Sequence, residues 1–129
     1  MMEPVELSRR AEDYLRVIYE LVEEKGRARI KEIAARVNVK PPSAVDMVRR
    51  LSKMGLVRHE RYEGITLTPK GLVLARAVKH RHETLLKFLE ILEVPREVAE
   101  RDAHELEHRL SPETLLKIEE FVRRHRGSD

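Results

Sequence analysis

The chain contains no cysteine and no tryptophan among its 129 residues, and aromatic residues make up only 4% of it. Without cysteine there is no disulfide, no thiol redox chemistry and no thiolate ligand, so any bound metal must be held by nitrogen and oxygen donors. A core that is poor in aromatic residues must be built from Leu, Ile, Val and Ala, which favours packed helices over a β-sandwich. No apolar run reaches the roughly 18 residues of a membrane span. The N-terminal segment lacks the apolar stretch of a secretion signal, so a cytoplasmic location is expected.

Charged residues are abundant, at 38% of the chain, although the net charge is only +3. Residues 25–61 hold eleven Lys and Arg against three acidic residues, which gives this segment a charge of +8 and leaves −5 for the rest. A basic block in an otherwise acidic chain is typical of a protein that binds a polyanion such as nucleic acid. A solvated surface rich in ion pairs would produce the same composition.

The apolar periodicity of the first half predicts three helices and a hairpin. The helices cover Leu7–Glu24, Ile30–Val37 and Pro41–Met54, and strand-forming segments at 56–59 and 65–68 flank a loop that contains glycine. The second and third helices are short and are joined by a tight turn, and the third has a basic outer face. This order predicts a winged helix-turn-helix domain over residues 1–71.

The remaining residues, 72–129, predict a small helical domain, so the fold class is mainly α. Its helices run from Thr68 to about Leu92, from Arg96 to Arg109 and from Pro112 to Arg124. The first of them carries more apolar surface than three helices can cover, which indicates a subunit interface. The alternative is a monomer in which this apolar surface packs against the first helix.

Four residues suggest a metal site. His104, Glu107 and His108 have the i, i+3, i+4 spacing that projects them from one arc of a helix, and two imidazoles with a carboxylate form a half-site for a divalent ion. His82 falls on an apolar stripe, where an imidazole needs a polar partner. On a charged helix, a pair of histidines at this spacing is often solvent-exposed and binds no metal. Asp13 is interpreted from the residues alone as an ion-pair partner of Arg16.

Residues 104–108 also spell H-x-x-E-H, the inverted zinc-protease motif, in which Glu107 would activate water. Such enzymes are far larger, and the sequence offers neither a downstream third ligand nor a substrate cleft. A non-enzymatic metal site is therefore the better interpretation.

Several motifs together resemble the metal-dependent repressors of the diphtheria toxin repressor and manganese transport regulator family. They cover nearly the whole chain in order, and they comprise the run Ala11–Tyr19, Val48-Arg49-Arg50-Leu51, Gly55-Leu56-Val57, Leu67-Thr68-Pro69-Lys70-Gly71, Arg81-His82-Glu83 and Glu107-His108. In length the chain is closer to the two-domain, manganese-type branch, which lacks a third, SH3-like domain.

The resemblance implies a homodimeric repressor in which a metal between the two domains fixes the DNA-reading heads at the spacing of a palindromic operator. Carried over by position, the ligands would be Asp13, His82, His104, Glu107 and His108. The metal would be Mn²⁺ or Fe²⁺, and the three imidazoles suit Zn²⁺, Co²⁺ or Ni²⁺ as well.

Three positions depart from the family pattern. Arg16 stands where manganese-type members have a second carboxylate in the first helix, and His104 replaces a Glu or Cys. Leu86 replaces a carboxylate of the ancillary site in iron-type members. One metal per subunit is therefore expected, with Glu100 or water needed for a second.

The predicted winged helix-turn-helix also indicates which residues would contact DNA. Six residues of the third helix and the turn before it would enter the major groove, and three arginines would contact phosphates: Lys40, Pro42, Ser43, Asp46, Arg49 and Arg50, then Arg29, Arg58 and Arg61. A metal-independent winged-helix regulator, or a small metal-binding protein without operator recognition, would share many of these features.

Overall fold

The computed structural model describes residues 7–126 and is mainly helical, as the sequence predicted. Its contacts divide the chain into two compact units, residues 1–78 and 79–129. Among the described residues, no helix combines the length and apolarity that a membrane span requires. The elements in chain order are α1 Arg9–Lys25, α2 Ile30–Val37, α3 Pro41–Lys53, β1 Val57–Glu60, β2 Gly64–Leu67, α4 Pro69–Ile91, α5 Arg96–Leu106 and α6 Pro112–Arg126.

The core of the first unit forms around α1. Ser8 caps this helix, because its hydroxyl oxygen accepts a hydrogen bond from the Ala11 amide at 3.1 Å, and Gly26 ends it in the left-handed region at φ 84°. Tyr14, Leu15 and Ile18 are buried on the inner face. They pack with apolar residues of α2, α3 and the hairpin, so α1 holds these three elements together.

The turn between α2 and α3 fixes the helix-turn-helix. Asn38 adopts a left-handed conformation at φ 60°, and the Val39 amide donates to the Ala34 carbonyl at 2.9 Å. Pro41 and Pro42 then begin α3 in positions where a missing amide proton costs nothing. The inner face of α3 is buried, and its outer face is exposed.

The wing is a two-stranded antiparallel hairpin with Val57 opposite Leu67 and Glu60 opposite Gly64. Its second strand is also bonded to the loop after α1, since Ala28 and Ile65 exchange two backbone hydrogen bonds of 2.8 Å. This bridge ties the wing to the helical core.

A close backbone approach joins the start of α4 to the segment after α3. The Thr68 hydroxyl donates to the Gly55 carbonyl at 2.6 Å and accepts from the Gly71 amide at 3.0 Å. An ideal Cβ at Gly71 would lie 1.9 Å from the Leu56 carbonyl oxygen, so only glycine fits there.

The second unit is built from the later part of α4 with α5 and α6. Leu85, Leu89, Ala99 and Ala103 form its buried centre. Phe88 of α4 meets Phe121 of α6 edge to face with ring centroids 5.6 Å apart.

The predicted extent of the fifth helix was wrong at its C-terminus. The helix ends at Leu106 rather than at Arg109, and residues 107–109 form a turn. The physical cause is a tighter backbone bond, because the Arg109 amide donates to the Leu106 carbonyl three residues earlier, at 3.0 Å. Glu107 is therefore the C-cap residue, and His108 lies just beyond the helix.

Candidate metal centre and DNA-binding face

The carboxylate of Glu107 lies among polar side chains of the second unit. The Glu107 side chain is fully buried, at 0% exposure. One oxygen, Oε2, lies 2.9 Å from Nδ1 of His82. The other, Oε1, lies 3.3 Å from Nε2 of His108 but has no hydrogen bond among the described residues. A buried oxygen that lacks a donor is costly, and a bound cation would satisfy it.

Two imidazole side chains lie beside this carboxylate. One ligand atom from each of His104, Glu107 and His108 lies within 4.8 Å of the others. The two imidazole rings meet edge to face with centroids 5.6 Å apart, so the adjacency expected from helical spacing survives the early end of α5. Two nitrogens and a carboxylate oxygen in this arrangement fit a divalent ion of the first transition row.

His82 lies on α4 with only 9% of its surface exposed. Its second ring nitrogen, Nε2, lies 3.6 Å from Oε2 of Glu100, so both sides of the imidazole face carboxylates. Glu100 is more exposed and also pairs with Arg96 at 3.1 Å. The polar partner that an imidazole on this apolar stripe requires is therefore supplied by α5.

His82 and Glu107 were predicted as separate ligands, and the hydrogen bond between them was not predicted. They are 25 positions apart on different helices. The only signal in the sequence was the presence of a histidine on an apolar stripe, which indicates a partner without naming it.

The remaining residues of interest have distinct surroundings. Asp13 lies half-buried on α1, and Arg16 pairs with Glu20 at 3.4 Å. His80 is exposed and contacts Glu119 at 3.2 Å, while His125 stacks on Phe121 with ring centroids 3.9 Å apart. No second group of metal-binding donors with comparable spacing occurs in residues 7–126.

The first unit presents a basic face along α3 and the wing. All nine residues assigned to DNA contact are exposed, namely Arg29, Lys40, Pro42, Ser43, Asp46, Arg49, Arg50, Arg58 and Arg61. Asp46 and Arg49 approach to 4.0 Å in an exposed pair, which is a weak interaction. The guanidinium of Arg61 lies 5.5 Å from the ring centroid of Tyr62 at the tip of the wing.

A winged helix with a basic outer face, followed by a unit that clusters imidazole and carboxylate donors, defines a metal-responsive DNA-binding regulator. The N-terminal DNA-binding domain profile of the iron-dependent repressors matches residues 6–65, and their metal-binding and dimerisation domain profile matches residues 68–127. The chain therefore belongs to the iron-dependent repressor family.

Individual relatives support this family assignment. The chain is 40% identical over 111 residues to the HTH-type transcriptional regulator MntR of Geobacillus kaustophilus, covering 86% of this chain and 79% of that protein. It is 39% identical to the transcriptional regulator MntR of Escherichia coli O157:H7, covering 88% and 74%.

Among solved structures, the manganese regulator SloR superposes with a TM-score of 0.77 at 31% identity, covering 95% of this chain and 55% of that one. A manganese-dependent transcriptional repressor in complex with manganese gives 0.76 at 31% identity, covering 87% and 52%. The chain thus spans about half the length of these structures.

Family membership confirms several predictions from the sequence. The protein is a metal-dependent, DNA-binding transcriptional repressor with a dimerisation domain, and it is not an enzyme. The H-x-x-E-H run at residues 104–108 therefore does not mark a protease.

Proposed function

We propose that this protein is a manganese-responsive repressor of metal-homeostasis genes that binds a palindromic operator as a homodimer in the cytoplasm. The observation that carries the proposal is the buried Glu107 carboxylate, with one oxygen lacking a hydrogen bond and two imidazoles beside it. The manganese-dependent relatives support the choice of metal.

The proposed ligands in the second unit are His82, His104, Glu107 and His108. Glu107 contributes its unbonded oxygen, and the adjacent imidazoles contribute neutral nitrogens. Asp13 of α1 is the fifth proposed ligand and is supported by its position in the motif at the start of the chain. A bound ion would supply the positive charge that a buried carboxylate requires.

One ion per subunit is the stoichiometry we propose. Arg16 cannot ligate a metal, and Leu86 cannot replace a carboxylate, so two positions that could complete a second site are lost. Because imidazole also binds Zn²⁺, Co²⁺ and Ni²⁺, affinity in the test tube will not by itself identify the physiological metal.

The proposed reading element is the outer face of α3. Arg49 and Arg50 are exposed on it and are long enough to reach base edges, for which guanine is the usual arginine partner. Arg29, Arg58 and Arg61 flank this face and would position the domain through phosphates.

Metal binding at the proposed ligands would raise operator affinity. A coupling of about 1–3 kcal/mol, or roughly 5–150-fold in operator affinity, is typical of such regulation. Reciprocity requires the operator to tighten metal binding by the same factor.

The test combines metal content with DNA binding. Operator duplexes selected from a random pool in Mn²⁺ would be titrated with apo protein and with protein loaded with Mn²⁺, Fe²⁺, Co²⁺ or Zn²⁺, and metal content would be measured by elemental analysis. We expect one Mn²⁺ per subunit and an affinity gain of about 5–150-fold.

Two variants sharpen this experiment. His108→Ala should abolish the gain, whereas His80→Ala removes a histidine outside the cluster and should leave it intact. Equal operator affinity with and without every metal would contradict the proposal, as would metal binding without any DNA binding at low salt. A gain seen only with another metal would contradict manganese as the effector.

A further inference from the structure

Two clefts flank α3 within the first unit. One lies on the side of the wing and is lined by Arg49, Ser52, Lys53 and His59 over an apolar floor of Val45 and Val48. The other lies on the side of α1 and is lined by Arg10, Tyr14, Ser43, Asp46, Met47 and Arg50. Neither Arg10 nor Lys53 belongs to the set of residues that the proposed function uses.

The positions of the clefts follow from the helical repeat. Ala44, Val48 and Leu51 of α3 are buried and mark its inner side. The exposed ridge of Asp46, Arg49 and Arg50 lies opposite, and at 100° per residue each cleft falls between the ridge and the buried side. Lys53, the last residue of α3, follows this ridge and lines the wing-side cleft. The clefts are therefore on opposite flanks of the ridge.

The charge of each cleft suits an anion. The wing-side cleft is lined by the cations Arg49 and Lys53 and by no carboxylate. The α1-side cleft has Arg10 and Arg50 against one carboxylate, Asp46. Burial raises the pKa of Tyr14, and the nearby Arg10 guanidinium opposes this shift in part.

The DNA major groove has matching geometry. It is about 12 Å wide, is bounded by a sugar–phosphate backbone on each side, and is filled by one α-helix. A helix that presents its ridge to the base edges therefore has a row of phosphates along each flank.

We propose that each cleft binds one backbone phosphate, so that Lys53 contacts one strand and Arg10 contacts the other across the same groove. Ser52 and His59 can add donors on the wing side, and Ser43 can add one on the α1 side. This inference rests on the proposed entry of α3 into the major groove and extends it, because it makes α1 a part of the DNA interface.

The test is the salt dependence of DNA binding. Mn²⁺-loaded wild-type protein, Arg10→Ala, Lys53→Ala and the double variant would be titrated by fluorescence anisotropy against the selected duplex and an unrelated duplex at several salt concentrations. Because a bound homodimer carries each residue twice, each single variant should reduce the steepness of log K against log salt by about 1.8, and the double variant by about 3.6. Both duplexes should lose affinity by the same factor, because phosphate contacts carry no sequence information.

Lys117→Ala is the matched control, since it removes one exposed positive charge from the second unit and should leave the slope unchanged. Circular dichroism and gel filtration would verify folding and assembly of every variant. A wild-type slope in Arg10→Ala or Lys53→Ala would overturn the inference while leaving the proposed function standing. Loss confined to the selected duplex would overturn it too, because that pattern indicates base contact. Absence of DNA binding by the wild-type protein would instead defeat the proposed function itself.

Discussion

Nδ1 of His82 lies 2.9 Å from Oε2 of Glu107 and thereby joins α4 to the end of α5 through two buried side chains. The contact satisfies one oxygen of a carboxylate that has no access to water and leaves the other directed toward His108. Stability of the second unit and metal affinity are therefore expected to depend on the same pair.

His82→Ala should lower the free energy of unfolding of the metal-free protein by about 1–3 kcal/mol, because it leaves a buried carboxylate oxygen without a donor. It should also weaken Mn²⁺ binding by about 10–100-fold. Urea denaturation and competition with a metal chelator would measure the two effects.

His82→Gln separates the two roles of this residue. A glutamine amide can donate to Glu107 and should restore much of the stability, but it is a poor ligand for a transition metal and should not restore Mn²⁺ affinity. Recovery of full metal affinity in His82→Gln would show that His82 positions Glu107 without binding the metal.

Gly71→Ala should destabilise the first unit by about 3 kcal/mol. Its Cβ would overlap the Leu56 carbonyl oxygen, and relief requires a backbone shift where α4 begins. Thermal unfolding followed by circular dichroism would measure the loss. Lys70→Ala changes the exposed neighbouring residue and should stay within about 0.5 kcal/mol of the wild-type protein.

Asp46→Asn should strengthen binding to DNA of any sequence by several-fold, because it removes a negative charge from the exposed ridge of α3. Anisotropy titrations on selected and unrelated duplexes would test this. If Asp46 instead accepts a hydrogen bond from cytosine, the variant will lose affinity for the selected duplex alone.

Alkaline pH should destabilise the first unit through Tyr14. Burial raises the pKa of this phenol above its ordinary value of about 10, so the unfolded chain releases the proton first. Tyr14 therefore leaves the free energy of unfolding unchanged below the pKa of the unfolded chain. This free energy falls as the pH rises from the pKa of Tyr14 in the unfolded chain to its pKa in the folded protein. Denaturant titrations at increasing pH would show a decline that Tyr14→Phe lacks.

Much of the fold was predictable because its determinants are local. The bounds of α2 were predicted to the residue, since an apolar face recurs every three to four positions and Asn38 accepts the left-handed turn that ends the helix. The C-terminus of α5 was not predicted correctly, because nothing in the periodicity of residues 96–109 signals the tighter turn after Leu106.

The grouping of His104, Glu107 and His108 was predicted from helical spacing, which places residues three and four apart on one side. The two imidazoles are adjacent in the structure even though His108 lies in the turn just beyond α5. The exposed basic ridge of α3 follows from the same repeat. Only the tertiary structure decided that His82 contacts Glu107, that Ala28 pairs with Ile65, and that Gly71 lies against Leu56. These contacts join positions that are distant in the chain, and close packing of whole elements determines which distant positions meet.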